Sequence, residues 1–146
     1  MIYTSYFDNL KSLPDNIIPI SICGRAPDWY DGPQYKKLAP KLKFFMEWKA
    51  NRDNDYYVKC FNEQVLSKVN PYIVLTEISE FALSYYKKNT PDNHCGLPLG
   101  KKERPFKNID ICLICYESPS EFCHRHLVAD WLNKYGIKCK EWEGET

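Results

Sequence analysis

The C-terminal part of the chain constrains the fold more than any other part of the sequence. Residues 109–115 form a nearly continuous apolar run, which is typical of a strand buried on both faces of a parallel sheet. A helical pattern of apolar positions follows, made up of His124, Leu127, Val128, Trp131, Leu132 and Tyr135. Gly136 is placed to end this helix, and residues 137–142 resemble a closing strand. The order strand, helix, strand predicts a parallel α/β unit with a right-handed crossover.

The start of that helix is predicted from a capping motif. Ser118 is followed by Pro119 and, three residues after the serine, by Glu121. This is the capping-box pattern, with serine as the N-cap and proline at the first helical position. We therefore expect the helix to begin at Ser118 and to hold residues 123–126 in its first turns.

The remainder of the chain fits the same fold class. Residues 16–23 are β-branched and precede a glycine, as expected for a second strand that runs into a loop. Residues 38–49 and 55–68 have helical spacing, and a third helix is predicted from about Ser79. A chain of 146 residues is long enough for one domain and too short for two ordinary ones. The sequence thus predicts a single α/β domain over residues 1–146, with a mostly parallel, Rossmann-like sheet flanked by helices.

Composition excludes several classes of protein. Hydrophobic residues make up 44% of the chain and charged residues 27%, which excludes disordered and collagen-like sequences. The net charge of +1 differs from the strongly basic balance of proteins that wrap DNA. No run approaches the ~18 consecutive apolar residues of a membrane span, and no signal peptide is visible. Seven cysteines, an odd number, fit a reducing compartment, so we expect a cytoplasmic protein without disulfides or membrane contact.

Two loops are candidates for binding. The turn-rich residues 24–33 include Arg25, Trp29 and Tyr30, which core packing does not explain. We expect these side chains to offer charge and a stacking surface to a ligand. Residues 89–107 lack any period, and their length predicts a functional lid or a mobile loop. The basic residues of that segment form either a binding patch or a solvated face; they are Lys101, Lys102, Arg104 and Lys107.

Reactive side chains collect where the strand of residues 109–115 passes into the next helix. Cys115 and Glu117 leave the strand, and Cys123, His124 and Arg125 lie in the first turns of the predicted helix. Ligands of open parallel sheets bind beyond the carboxyl ends of strands, where helix N-termini favour anions. Taken singly, each residue has a structural explanation as a core cysteine, a core histidine or a capping glutamate. Their convergence favours a functional site.

Metal binding is an alternative chemistry for this region. Tetrahedral zinc needs thiolate and imidazole ligands, which are available from Cys112, Cys115, Cys123 and His126, with His94 and Cys95 as further candidates. Residues 112 and 115 fall on opposite faces of an extended strand, however. We therefore assign no metal ligand and keep zinc or iron as an alternative.

The segment of residues 115–129 reads CYESPSEFCHRHLVA. It resembles the signature of the bacterial and phage family catalogued as domain of unknown function 488, in which a cysteine and a glutamate at a strand end precede Cys-His-Arg on a helix. Residues 21–27 and 35–40 are similar to the N-terminal part of one branch of that family. The resemblance implies an α/β fold with a site at Cys115, Glu117 and residues 123–125.

Together these patterns predict a small protein that binds a phosphorylated ligand, such as a nucleotide or a nucleic-acid end. Arg125 and the helix N-terminus would hold the phosphate, and Glu117 and His124 would form an acid/base pair. If the ligand is turned over, Cys115 or Cys123 is the candidate nucleophile. One alternative is a non-catalytic module of phage or host-defence type, which sequesters a nucleotide or blocks a partner protein through the aromatic loop. A metal-dependent redox or structural protein is another.

Overall fold

A computed structural model describes residues 1–89 and 109–144 of the chain. Its central sheet has four strands, all parallel, in the spatial order β2-β3-β1-β4. The strands are β1 (Ile2–Tyr6), β2 (Ile17–Ser21), β3 (Asp110–Cys115) and β4 (Cys139–Glu141). The helices are α1 (Leu42–Asn51), α2 (Asn54–Gln64), α3 (Pro71–Asn89) and α4 (His124–Lys134). The predicted α/β class, with a parallel sheet flanked by helices, is confirmed.

The two faces of the sheet are covered differently. Alternate strand residues such as Ile20 and Leu113 belong to a large hydrophobic core shared with all four helices. In the described part of the chain, the opposite face packs on a 3-10 helix (Phe7–Ser12) and on the loop around Tyr30. Cys112 lies in this second core and is fully buried. The four described helices therefore pack on one face of the sheet.

Strand β1 has no counterpart in the sequence predictions, although it occupies a central position between β3 and β4. Its residues Thr4 and Ser5 are buried polar groups, which weakens the apolar signal of a central strand. Other side chains form hydrogen bonds with both hydroxyls. Thr4 Oγ1 donates to Glu141 Oε1 at 2.6 Å, and Asn9 Nδ2 donates to Ser5 Oγ at 3.2 Å.

Helix α4 begins at His124, several residues later than its capping motif predicts. Residues 118–121 instead form a turn, in which the Glu121 amide donates to the Ser118 carbonyl at 3.0 Å. The actual N-cap is Cys123, and its side chain makes no capping hydrogen bond. Burial of Cys123 and His124 outweighs the local capping preference. The predicted end of the helix is confirmed, since Gly136 follows it with a φ of 81°.

Helix α3 is longer than expected and begins at Pro71 rather than near Ser79. Proline suits the first turn of a helix because it has no amide hydrogen to satisfy. Asn70 Oδ1 accepts hydrogen bonds from the amides of Tyr72 and Ile73, at 2.9 and 3.2 Å. This side-chain cap starts the helix ahead of the position near Ser79 that its spacing predicts.

The predicted loop of residues 89–107 falls outside the described residues, except for Asn89, which ends α3. His94, Cys95 and the basic cluster lie in this segment and are likewise outside the described residues. Within residues 1–89 and 109–144, no helix combines the length and the apolar character needed to cross a membrane.

Candidate functional site

A cavity of about 790 Å³ opens at the carboxyl ends of β2 and β3. Cys23 and Cys115, at or just after these strand ends, line one part of it, and α1 and the start of α4 line the rest. Parallel strands end at the same edge of a sheet, and ligands of such folds bind there. The topology alone thus brings the loops after β2 and β3 to one place.

A hydrogen bond to the backbone orients His124 in the cavity wall. Its Nε2 lies 2.8 Å from the carbonyl oxygen of Ile22. A carbonyl only accepts hydrogen bonds, so Nε2 donates the hydrogen. In the neutral ring Nδ1 then presents a lone pair, and this atom lies 3.5 Å from Cys115 Sγ. The ring is buried and packs against Phe61, with ring centroids 5.5 Å apart.

Cys115 and Cys123 form a close pair of free thiols beside this ring. Their Sγ atoms and one ring nitrogen of His124 all lie within 4.8 Å of one another. Hydrogen bonding to Cys123 and burial raise the pKa of Cys115 well above its usual value. The hydrogen bond from Cys115, assisted by His124, holds the pKa of Cys123 well below its usual range. The two pKa values are thus shifted in opposite directions, which favours Cys123 as the thiolate, the form that attacks electrophiles or binds metals.

Glu117 extends the same group toward the cavity. Its Oε2 lies 3.8 Å from Cys115 Sγ, and its side chain is half-buried. Burial raises the pKa of Glu117, and the nearby charge of Cys123 raises it further. The backbone of this residue is held in place, because Arg125 NH1 donates to the Glu117 carbonyl.

Cationic and aromatic side chains surround the opening. Arg25, Lys36 and Lys49 are exposed and line the cavity, whereas Glu117 is the one carboxylate among its described lining residues. The aromatic wall consists of Phe45, Trp48, Tyr57, Tyr116 and Phe122. Trp48 is fixed by a 2.7 Å hydrogen bond from Nε1 to Asn54 Oδ1. Residues from α1 were not predicted for the site, since their position depends on how α1 packs over the strand ends.

Arg125 lies elsewhere than expected. The prediction that Arg125 holds phosphate is wrong, because its side chain is fully buried and does not line the cavity. Its guanidinium pairs with the Glu141 carboxylate through Nε to Oε1 at 3.1 Å and NH2 to Oε2 at 3.0 Å. The sequence shows a charged residue at a helix start, but it does not show that β4 brings a carboxylate to it.

The aromatic loop also departs from expectation, since only Arg25 of its three candidates lines the cavity. Tyr30 is buried, and its hydroxyl donates to the carbonyl of Pro33 at 2.7 Å. Trp29 is 63% exposed and rests edge-on against Phe7, with centroids 5.9 Å apart. Both aromatic residues contact the 3-10 helix on the opposite face of the sheet, so neither offers a stacking surface to the cavity.

Among the described residues, the metal-ligating set suggested by spacing does not assemble, because neither Cys112 nor His126 joins Cys115 and Cys123 in a group of possible ligands. The described residues contain a different group of three possible ligands, namely Cys115, Cys123 and His124. No spacing rule selects His124, because its orientation depends on the distant Ile22 carbonyl. Comparisons of the chain with protein-family models, with curated proteins and with solved structures found no match.

Proposed function

We propose that the cavity binds a phosphorylated ligand with a planar ring, such as a nucleotide or a nucleic-acid end, and that Cys115, Glu117, Cys123 and His124 act on it. One observation supports the proposal more than any other. The cavity places a cationic opening and an aromatic wall directly beside this reactive group. Such a combination of apolar wall and few convergent polar groups is typical of small-molecule sites.

The cations determine the charge of the ligand. Arg25, Lys36 and Lys49 come from three separate segments and line the same cavity, where they outnumber the single carboxylate. Arginine and lysine bind phosphate through charge-assisted hydrogen bonds. Arg25 and the lysines thus replace Arg125 as the groups that hold the phosphate.

The aromatic wall favours a ligand with a planar ring beside its phosphate. Trp48, Tyr57 and Phe122 pack on one another, with centroids between 5.1 and 5.7 Å apart. Packed rings of this kind form a rigid apolar surface that a nucleobase can cover. Glu117 lies beside the thiol pair and lines the cavity, so it is placed to exchange a proton with a bound ligand.

Calorimetric titration with adenosine monophosphate, adenosine and inorganic phosphate tests the ligand class. We expect the monophosphate to bind more tightly than either part. Lys49→Ala and Arg25→Ala each weaken its binding about tenfold or more, since each removes a charge-assisted contact. Lys43→Ala is the matched control, because Lys43 lies on the same helix but does not line the cavity. Equal binding by the Lys49 and Lys43 variants, or no binding across nucleoside monophosphates and 5′-phosphorylated oligonucleotides, contradicts the proposal.

The proposal extends to the cellular compartment and the family of the protein. Buried free thiols at six described positions fit a reducing, cytoplasmic compartment. We also propose kinship with the bacterial and phage family of domain of unknown function 488. Its signature residues Cys115, Glu117, Cys123 and His124 form one group in space, which supports a shared site.

A further inference from the structure

Two cysteine sulfurs and one imidazole nitrogen meet where β3 ends and α4 begins. We propose that Cys115 Sγ, Cys123 Sγ and His124 Nδ1 bind a zinc ion. The two sulfur atoms and the ring nitrogen lie within 4.8 Å of one another. In tetrahedral zinc sites, the usual Zn–S and Zn–N bond lengths place sulfur and nitrogen about 3.6 Å apart. The distance from Cys115 Sγ to His124 Nδ1 is 3.5 Å, which matches this spacing.

Contacts with Ile22 and Phe61 fix the ring of His124 in an orientation that suits a metal ligand. Its Nε2 donates to the Ile22 carbonyl at 2.8 Å, which leaves Nδ1 as the basic nitrogen of the neutral ring. Zinc-bound histidines ordinarily donate their other ring hydrogen to a carbonyl or carboxylate, and this contact fixes both tautomer and ring orientation. Phe61 packs on the ring and restricts its rotation.

The donor set and its access indicate which metal binds and in what manner. Two thiolates and an imidazole suit zinc, whereas magnesium and calcium prefer oxygen ligands. All three residues line the cavity, so a fourth coordination position is reachable by water or by a ligand. Three protein ligands with one open position are typical of catalytic zinc, whereas structural sites have four protein ligands.

Glu117 lies beside the donor group rather than within it, with Oε2 3.8 Å from Cys115 Sγ. With zinc bound, the ion would activate a water at the open position, and Glu117 would be placed to accept the proton of that water. Attack of the water on the electrophilic centre of the bound ligand would break the bond to the leaving group, which would take the proton from Glu117, so the net change would be hydrolysis. This reaction rests on the proposed function, whereas the zinc site does not. Cys123 is then a metal ligand rather than a covalent nucleophile.

Zinc stoichiometry of the full-length protein tests the site. Reduced protein is incubated with zinc chloride and desalted, and bound zinc is measured by mass spectrometry. We expect about one zinc per chain, because thiolate sites hold zinc through desalting. Cys115→Ser, Cys123→Ser and His124→Gln each lower zinc affinity by at least about tenfold. Cys60→Ala is the control, since this buried cysteine of α2 lies outside the donor group and its variant keeps the zinc.

Two measurements on the unmodified protein keep the test valid if a variant fails to fold. Cobalt should give the thiolate-to-cobalt charge-transfer band of a tetrahedral site, and mercurial titration of the thiols should release the zinc. A protein with far less than one zinc per chain, or without that band, overturns the zinc site. Zinc is measured without nucleotide, so zinc retention without nucleotide binding supports the site and contradicts the proposed function. Nucleotide binding that depends on Lys49, in a protein that binds no zinc, supports the proposed function and contradicts the zinc site.

Discussion

Arg125 and Glu141 form a bidentate ion pair between α4 and β4, with Nε–Oε1 and NH2–Oε2 distances of 3.1 and 3.0 Å. The arginine is fully buried, and the glutamate side chain is 19% exposed. Thr4 of the central strand donates to the same carboxylate, and Arg125 NH1 donates to the Glu117 carbonyl. This ion pair therefore joins β1, β4 and α4 to the loop that contains Glu117.

Removal of one partner should destabilise the protein strongly. Arg125→Ala leaves the Glu141 carboxylate largely buried without its counter-ion, and we expect a loss of about 3 kcal/mol in the free energy of unfolding. Arg125→Lys should not restore it, because one ammonium cannot make both contacts to Glu141 and reach the Glu117 carbonyl. Urea denaturation measures the change. A loss below about 1 kcal/mol for Arg125→Ala would show that the pair adds little to stability.

Thiol reactivity should separate the cavity cysteines from a core cysteine. In metal-free protein, iodoacetamide should modify Cys115 or Cys123 before Cys112, because the first two line the cavity, whereas Cys112 is fully buried and does not line it. Zinc should slow modification of the cavity pair without changing Cys112. Mass-spectrometric mapping of alkylated peptides over time gives the order. Earlier modification of Cys112 would mean that the cavity does not expose the thiol pair.

Glu117→Gln distinguishes an enzyme from a binding protein. The substitution keeps the shape of the side chain but removes the group that accepts a proton, so turnover of a phosphorylated ligand should fall by about 10²–10⁴-fold. Ligand binding should be kept or become tighter, because the carboxylate repels an anion in the cavity. Parallel binding and turnover assays over a nucleotide panel measure both.

Trp29→Ala is the complementary variant for a binding module. Trp29 does not line the cavity, so the substitution should leave nucleotide binding and turnover unchanged. If Glu117→Gln leaves every activity intact while Trp29→Ala destroys it, the protein works through its aromatic loop, and the enzymatic proposal is wrong.

Acid stability should depend on Glu77 of α3. Hydrogen bonds from the Tyr35 hydroxyl at 2.6 Å and from Lys37 hold the pKa of Glu77 below its usual value. A carboxyl whose pKa is lower in the folded state stabilises the protein above its unfolded pKa, and this contribution is lost as the pH falls through the folded pKa. Between about pH 5 and pH 3, Glu77→Gln should therefore lose less stability than the parent. Glu80→Gln, an exposed position on the same helix, should follow the parent; if the Glu77 variant does too, the contact is not stabilising.

Several parts of the fold could be predicted because their signals are local. The apolar run of β3 and the β-branched run of β2 mark buried strands. The apolar stripe of α4 stops before Gly136, a glycine whose left-handed backbone conformation ends the helix. Each signal lies within one element, where backbone preference and side-chain period act together. The order of these elements was sufficient to predict a parallel α/β sheet and to place the reactive residues near its carboxyl edge.

The sequence by itself determined the fold class and the segment in which the reactive residues lie, whereas the tertiary structure decided how each is used. His124 obtains its orientation from Ile22, 102 residues away, and Thr4 shares Glu141 with Arg125 across 137 residues. Burial of a polar group is favourable only when a partner is present, and sequence spacing does not reveal a partner from another strand. For this reason β1 lacked the signal of a central strand, and Arg125 entered the core instead of the cavity.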